Sequence, residues 1–528
     1  MTAPSGSVDG PRPESLLAAL RAPLDRSPAA TLTGFALGIA AVAGIGLVFQ
    51  GQTLLGILAV LLVPGVYLLC RWPESAVSAV AFILYTNAAV VAVRFHGAPY
   101  LVAAAFPLLL CLPIARNLLV RGERLLVPRA TPYIFAFFVI QLLGALFSIR
   151  PEEAMQNFLM NALEGLVLYL LMANAIRRPR VLHQVVATLL LAGTLIGAVV
   201  LYQQLTQTYD DNYGGFAQVR DDSEGFDTGT ADIEGDVRQP RLSGPIGEKN
   251  RFAQIMAMLV PIAMFQYLAA RSLRWQLAAI AALVAIVVGC ALGFSRGAAV
   301  GLAMMFAVMV WMGHVRLRHV GLALLAVVSV AILVPQYATR LATLGDVAGL
   351  ATSNTMVANT DGATQGRITE MVTAGLVFAD HPILGVGPGM FKYHYVDYAR
   401  IAGGRVRGNT RQAHSLLPGI AAEDGVLGLG VFLAVIFVSL RELNAARQRW
   451  KGLRPDLAHA ATGLLLCIVV YLTTSVFLHA AYIRYFWFVL GVSAGASHLV
   501  AGEERSELAT LVRRVHGLAS EARRVEGA

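Results

Sequence analysis

Long apolar runs recur along almost the whole chain, and each is about 17–20 residues, the length a helix needs to cross a bilayer. Fourteen are readable, near 32–49, 53–70, 76–93, 100–115, 132–148, 158–176, 184–205, 252–270, 276–293, 298–313, 319–335, 415–440, 458–478 and 484–500. The fourth and tenth are short, so the expectation is an all-α polytopic membrane protein of about 12–14 transmembrane helices. Two polar excursions interrupt the pattern. They divide the chain into a 1–30 N-terminal tail, a 31–205 transmembrane bundle, an acidic 206–251 loop, helices over 252–335, a large 336–414 loop expected to form a lid, helices over 415–500 and a 501–528 tail.

Composition agrees with a membrane class: of 528 residues, 57% are apolar and only 14% charged, too few charges to cover a soluble protein of this size. The arginines set the orientation. One set of short turns holds Arg71, Arg121, Arg177, Arg178, Arg271 and Arg274, and Arg447 to Arg454 fall on the same side. The opposing short turns hold only Arg94, Arg150, Arg296 and Arg484. Both termini are therefore expected in the cytoplasm, with the two long loops facing outward. The formal charge of +9 reads as a topology signal, and no nucleic-acid partner is expected. The first thirty residues are too long and polar for a signal peptide, so the first span reads as a retained signal anchor. Cys70, Cys111, Cys290 and Cys467 fall within or at the ends of spans, form no CxxC pair, and read as small packing residues.

The two outer loops differ in kind. The first carries Asp210, Asp211, Asp221, Asp222, Glu224, Asp227, Asp232, Glu234 and Asp236 among Gly and Thr. A divalent-metal site and a solvated excursion are both open readings; without EF-hand spacing the solvated one is preferred. In the second, Ile368, Met371, Val372, Gly375, Leu376 and Ala379 recur at helical spacing, which predicts a helix on the membrane surface or over a cavity. Gly385, Gly387 and Gly389 would suit a phosphate cradle, but without a strand–helix context the run reads as a turn. Arg400, Arg405, Arg407 and Arg411 follow, either to recruit an anionic lipid or glycan or simply as a solvated face.

Candidate chemistry gathers on the outward side. Arg241 precedes the eighth span, Arg296 interrupts the apolar stretch between the ninth and tenth, and His414 enters the twelfth. His479, Tyr482, Arg484 and Tyr485 sit at the last outer turn, to line the same cavity or to anchor the interface. Glu164 lies deep in the sixth span, where an ionisable group is a functional candidate by default, although a bond to Asn161 or another helix explains it equally. Gly301 and the Ala-rich spans point to close helix packing.

The order of these pieces resembles the O-antigen ligase and polymerase superfamily of bacterial envelope glycosyltransferases. The matching fragments are Arg241, Gly244 and Asn250; Ser295-Arg296-Gly297; Gly366-Arg367; His381 to Gly389; Ala413-His414; and Glu423 with Gly425. They run from about 240 to 430, and Ser415 stands where the family commonly has Asn. The resemblance implies transfer of a glycan from an undecaprenyl diphosphate carrier to a lipid or glycan acceptor, such as lipid A-core, at the periplasmic face of the bacterial inner membrane. It assigns Arg241 and Arg296, with Arg367 as a third, to the diphosphate, and His414 to the acceptor hydroxyl. Asn250, Arg411, Glu423 and Arg484 are expected to help bind substrate. No Asp-x-Asp motif is convincing, so metal-independent, inverting transfer without a cofactor is expected. A polymerase would use the same chemistry with a lipid-linked repeat as acceptor. A transporter of lipid-linked sugars is the rival of a different class, although no repeat relates the two halves.

Overall fold

Every predicted span that falls among the described residues is helical. In a computed structural model of the chain those residues are 69, 71–219, 230–231, 239–314, 362–403, 411–478 and 484–499. The predicted spans at 32–49 and 319–335, nearly all of 53–70, most of the acidic loop, Arg405, Arg407, His479, Tyr482 and both tails lie outside them.

In chain order the helices are α1 (Ser75–Tyr85), α2 (Ala88–His96), α3 (Thr131–Leu146), α4 (Pro151–Ala175), α5 (Pro179–Thr206), α6 (Lys249–Ala269), α7 (Leu273–Leu292), α8 (Arg296–Trp311), α9 (Gly362–Asp380), α10 (Phe391–Ile401), α11 (Leu416–Leu453), α12 (Pro455–Thr474) and α13 (484–499). An apolar helical stretch, Ala103–Val120, precedes α3. Among the described residues, seven helices are long and apolar enough to cross a membrane, or eight if α1 and α2 form one bent span. The 56° bend between those two falls at Asn87, whose left-handed φ of 55° an Asn side chain tolerates. Helices α4, α5 and α12 each begin on proline, whose missing N–H would have no partner in a first turn anyway. The β-structure among the described residues is one two-residue ladder, Thr230–Ala231 with Gln239–Pro240, and an isolated bridge between Gln218 and Gly244.

The chain divides into two compact units, residues 1–76 with 111–125, and residues 77–110 with 126–528. In the first, Arg121 donates to Asn117 at 2.7 Å and pairs with Glu74 at 3.0 Å. In the second, α6 is buried along most of its length, and Gln254 near its start donates to Thr474 and Ser475 at the end of α12. The two helices are therefore antiparallel. Small residues set the close approaches: Gly197 of α5 lies against the Ala285 carbonyl and Gly289 of α7, and Gly301 of α8 against Thr474. Cys290 and Cys467 are buried as expected, whereas Cys111 is exposed.

The feature that shapes the outer end is a break in α11 at Gly425, with φ 67° and ψ −167°. The break frees carbonyls that a continuous helix would satisfy, and the chain from His381 to Met390 takes them up. Val386 N–H donates to the Ala422 carbonyl at 3.0 Å and Gly387 N–H to that of Glu423 at 2.9 Å. In return Val426 N–H donates to the Pro382 carbonyl at 2.7 Å. The glycine run is therefore a docking strap, as the turn reading anticipated. An apolar core of Ala145, Ala154, Ala374, Val377, Val386, Met390, Phe391, Tyr395, Ala399, Ala413 and Ala422 fills the space between α3, α4, α9, α10 and α11.

Gly425→Ala is expected to lower the melting temperature of the solubilised protein by several degrees and to expose 381–390 to protease. A Cβ there would collide with the Ile383 carbonyl, and the backbone conformation alone costs about 1–3 kcal/mol for any other residue. Gly430→Ala, in the same helix with open space around it, should leave both readouts at or slightly above the wild-type level.

Candidate functional site

A first polar cluster forms where α6 and α8 begin. Glu248 caps α6, accepting the N–H groups of Asn250 and Arg251 at 3.0 and 2.7 Å. The preceding loop is pinned from several sides. Gly244 adopts φ 52° against the Phe252 ring, where a side chain would clash. Gln218 exchanges backbone hydrogen bonds with Ser243 and Gly244, and Asn87 donates to the Pro245 carbonyl at 2.8 Å.

Arg241 is only 6% exposed, and its guanidinium is turned inward. Nε and Nη2 donate to the Gly293 carbonyl at 3.1 and 2.9 Å, and Nη2 also to the Phe294 carbonyl and the Asn250 amide oxygen, both at 3.1 Å. These carbonyls end α7 immediately before Ser295-Arg296. A buried cation thus caps one helix and fixes the turn into the next, where Arg296 is the first residue of α8 and half-buried. Phe294 holds a left-handed φ of 46°, a conformation uncommon for a bulky residue, which marks the turn as tightly constrained.

Arg484, at the start of α13, is linked to that loop through Asn87. It donates to Asn87 at 2.8 Å and lies 3.6 Å from Glu164. Glu164 therefore meets another helix, one of the two readings open from sequence. It sits in a π-helical turn over Leu163–Val167 inside α4, a geometry frequent at functional positions.

The second cluster forms where the 411–415 segment enters α11. His414 Nδ1 lies 2.5 Å from Oε2 of Glu370 and 3.1 Å from the Gln412 carbonyl. Arg411 Nη1 lies 3.4 Å from Oε1 of the same carboxylate. Glu370 is 2% exposed on α9, one turn after Arg367, which is half-buried. Ser415, buried at 2%, occupies the N-cap position of α11.

Glu423 stands apart from both clusters. Its carboxylate faces the first turn of α10, accepting the Phe391 N–H at 3.4 Å. The neighbouring Asp424 is buried and accepts from Gln141 of α3 at 3.2 Å. The strap is further held by Asn157 of α4, which donates to the Pro388 carbonyl at 3.3 Å. Glu153 of α4 pairs with Lys392 at 2.7 Å and accepts the Tyr393 hydroxyl at 2.6 Å. On α10, burial and the His381 ring, 5.7 Å away, hold His394 below the ordinary histidine range. Tyr398 donates to Asp380 at 2.8 Å, a bond that raises its own pKa. Substrate contact is expected of Glu423; in the structure its carboxylate meets the Phe391 N–H.

The structure thus joins Arg241, Asn250 and the Ser-Arg-Gly turn, links them through Asn87 to Arg484 and Glu164, and joins His414 with Arg411. Asn87 and Glu370 were absent from the residues proposed on sequence. Glu370 carried a signal: an acid three residues after Gly366-Arg367, on the helix face opposite the apolar one.

Arg241→Ala should destabilise the protein. Three helix-terminal acceptor bonds vanish, and bonds to a charged group are worth about 1.5–3 kcal/mol each when buried. A clear fall in melting temperature is expected, with Arg241→Lys recovering only part of it because an ammonium lacks the planar fork. An unchanged melting temperature in Arg241→Ala would refute the capping role.

No curated protein matches the chain. Residues 280–433 match the family described as O-Antigen ligase. The matched segment contains Arg296, Arg367, Glu370, Arg411, His414 and Glu423, while Arg241, Asn250 and Arg484 lie outside it. That segment, under a third of this polytopic helical chain, is similar to the O-antigen ligase family, and the fragments read from the sequence between Ser295 and Gly425 fall inside it.

Proposed function

We propose that the chain is an O-antigen ligase-like glycosyltransferase, moving a glycan from undecaprenyl diphosphate to a hydroxyl on an acceptor such as lipid A-core. The observation that carries this reading is the His414–Glu370–Arg411 group at the mouth of α11, inside the segment that matches the family. His414 takes the proton of the acceptor hydroxyl. The oxygen then attacks the anomeric carbon, the bond from that carbon to the diphosphate breaks, and the diphosphate leaves with the charge. Attack from the face opposite the leaving group inverts the anomeric configuration. Arg296 and Arg367 stabilise the departing diphosphate, with Arg484 lining the approach, because guanidinium forks match phosphate oxygens and stay protonated. Arg241 and Asn250 serve that work by holding the turn that presents Arg296.

The membrane setting follows from charge. The turns α4–α5, α6–α7 and α11–α12 carry Arg177 and Arg178, Arg271, and Arg454, whereas both clusters lie at the opposite helix ends. The positive-inside rule then puts the clusters on the periplasmic side of the inner membrane.

In vitro transfer tests the proposal directly. Purified protein, an undecaprenyl diphosphate-linked oligosaccharide, lipid A-core and EDTA should yield glycosylated lipid A-core of inverted configuration. His414→Ala and Arg296→Ala should each lose about 10²-fold or more in rate. Longer chains on the carrier would make the protein a polymerase. No transfer to either acceptor would sink the proposal in favour of transport.

A further inference from the structure

We propose that Glu370 is the positioning residue of His414, fixing its tautomer and orientation so that Nε2 is the base. The inference rests on the transfer reading above and adds to it a residue on a different helix. Three observations converge on it.

Glu370 is a carboxylate 98% removed from solvent, and a buried charge of that kind persists only where partners compensate it. Its two oxygens have two different partners, Arg411 at Oε1 and His414 at Oε2. The cation offsets the buried charge, and the imidazole lies against the other oxygen, 2.5 Å away.

The imidazole needs such a partner. His414 belongs to the non-helical 411–415 segment, so no helix dictates its side-chain direction. Nδ1 is hydrogen-bonded to the Gln412 carbonyl, which can only accept, and Glu370 Oε2 lies against the same nitrogen. In the neutral ring the proton therefore sits on Nδ1, where the carboxylate faces it, and the lone pair is left on Nε2. His414 retains 21% side-chain exposure, against 2% for Glu370, so the histidine is the member that substrate can reach.

The third observation is the orientation of α9. The predicted apolar face is the one left outside: Met371, Val372, Gly375 and Ala379 are exposed, while Thr369, Glu370, Thr373, Ala374 and Val377 are buried. A helix that turns an acid inward and leaves Met371 and Val372 outside has been placed for the acid's partner. During transfer the acceptor proton passes to Nε2, and the Glu370 carboxylate beside the ring stabilises the imidazolium. The proton returns to water before the next turnover.

The test uses the full-length protein in nanodiscs with the oligosaccharide donor and lipid A-core. Wild type, Glu370→Gln, His414→Ala and the double variant would be compared. Glu370→Gln should lower kcat by about 10²-fold while KM for donor and acceptor stays within about twofold. In the His414→Ala background the same substitution should cost nothing further, because its effect runs through the histidine. A wild-type kcat in Glu370→Gln, or equal losses in both backgrounds, overturns the proposal while leaving the transferase reading intact. Wild-type activity in His414→Ala overturns both. A readout on the unmutated protein guards against misfolding: 15N spectra of histidine-labelled protein should show His414 protonated at Nδ1 and bare at Nε2. The opposite tautomer would rule the assignment out.

Discussion

The outer end of this protein is organised by an obligation: a helix broken inside a bilayer must find new partners for the backbone groups it frees. Gly425 breaks α11, and the carbonyls of Ala422 and Glu423 are taken by N–H groups of the glycine strap. The strap begins where α9 ends, so satisfying the break also lays α9 against the start of α11. That juxtaposition is what brings Glu370 to His414. Glycine at 385 and 387 is required for a related reason, since both hold positive φ and lie against backbone of α11 and α3, respectively. Sequence motifs that look like separate signatures, the Gly-x-Gly run and the Glu-Asp-Gly turn, are two sides of one backbone interface.

The arginines divide by what they are spent on. Arg241 is buried and consumed by helix-terminal carbonyls and by Asn250. Its charge acts on the α7 end, and through it on the position of Arg296. Arg484 is tied to Glu164 and Asn87, and so reports on the same loop from the other side. Arg296 and Arg367, each half-buried, are the cations that the proposed transfer assigns to the diphosphate.

Much of this was legible in the chain itself. Apolar run length located every described helix that crosses or nearly crosses, because bilayer thickness leaves few alternatives. The fragment order located Arg296 and His414. Less legible was direction. Periodicity reports that α9 has two faces but not which one is buried, and in a membrane protein the usual answer reverses when the surroundings are apolar. A helix expected on the membrane surface or over a cavity left both settings open, and neither singled out Glu370. The partners of Arg241 and Glu423 were hidden for a related reason: charge in the sequence says nothing about which backbone group will meet it.

The inversion of α9 also bears on how the proposed donor and acceptor meet. A soluble lid would pack valine and methionine inward and leave its acid in water. Here Met371 and Val372 look outward at 37% and 48% exposure while Glu370 is sealed against α11. Such a helix is at home at the edge of the hydrocarbon region, with its polar face towards the site. The substrates proposed here carry their reacting groups at that same depth, since a lipid diphosphate sits where the acyl chains end. A base held at that level by a buried carboxylate need not move to find its hydroxyl. The cost of burying Glu370 is met by Arg411 and His414, and both lie in the one stretch of chain that joins the outer loop to the membrane helix.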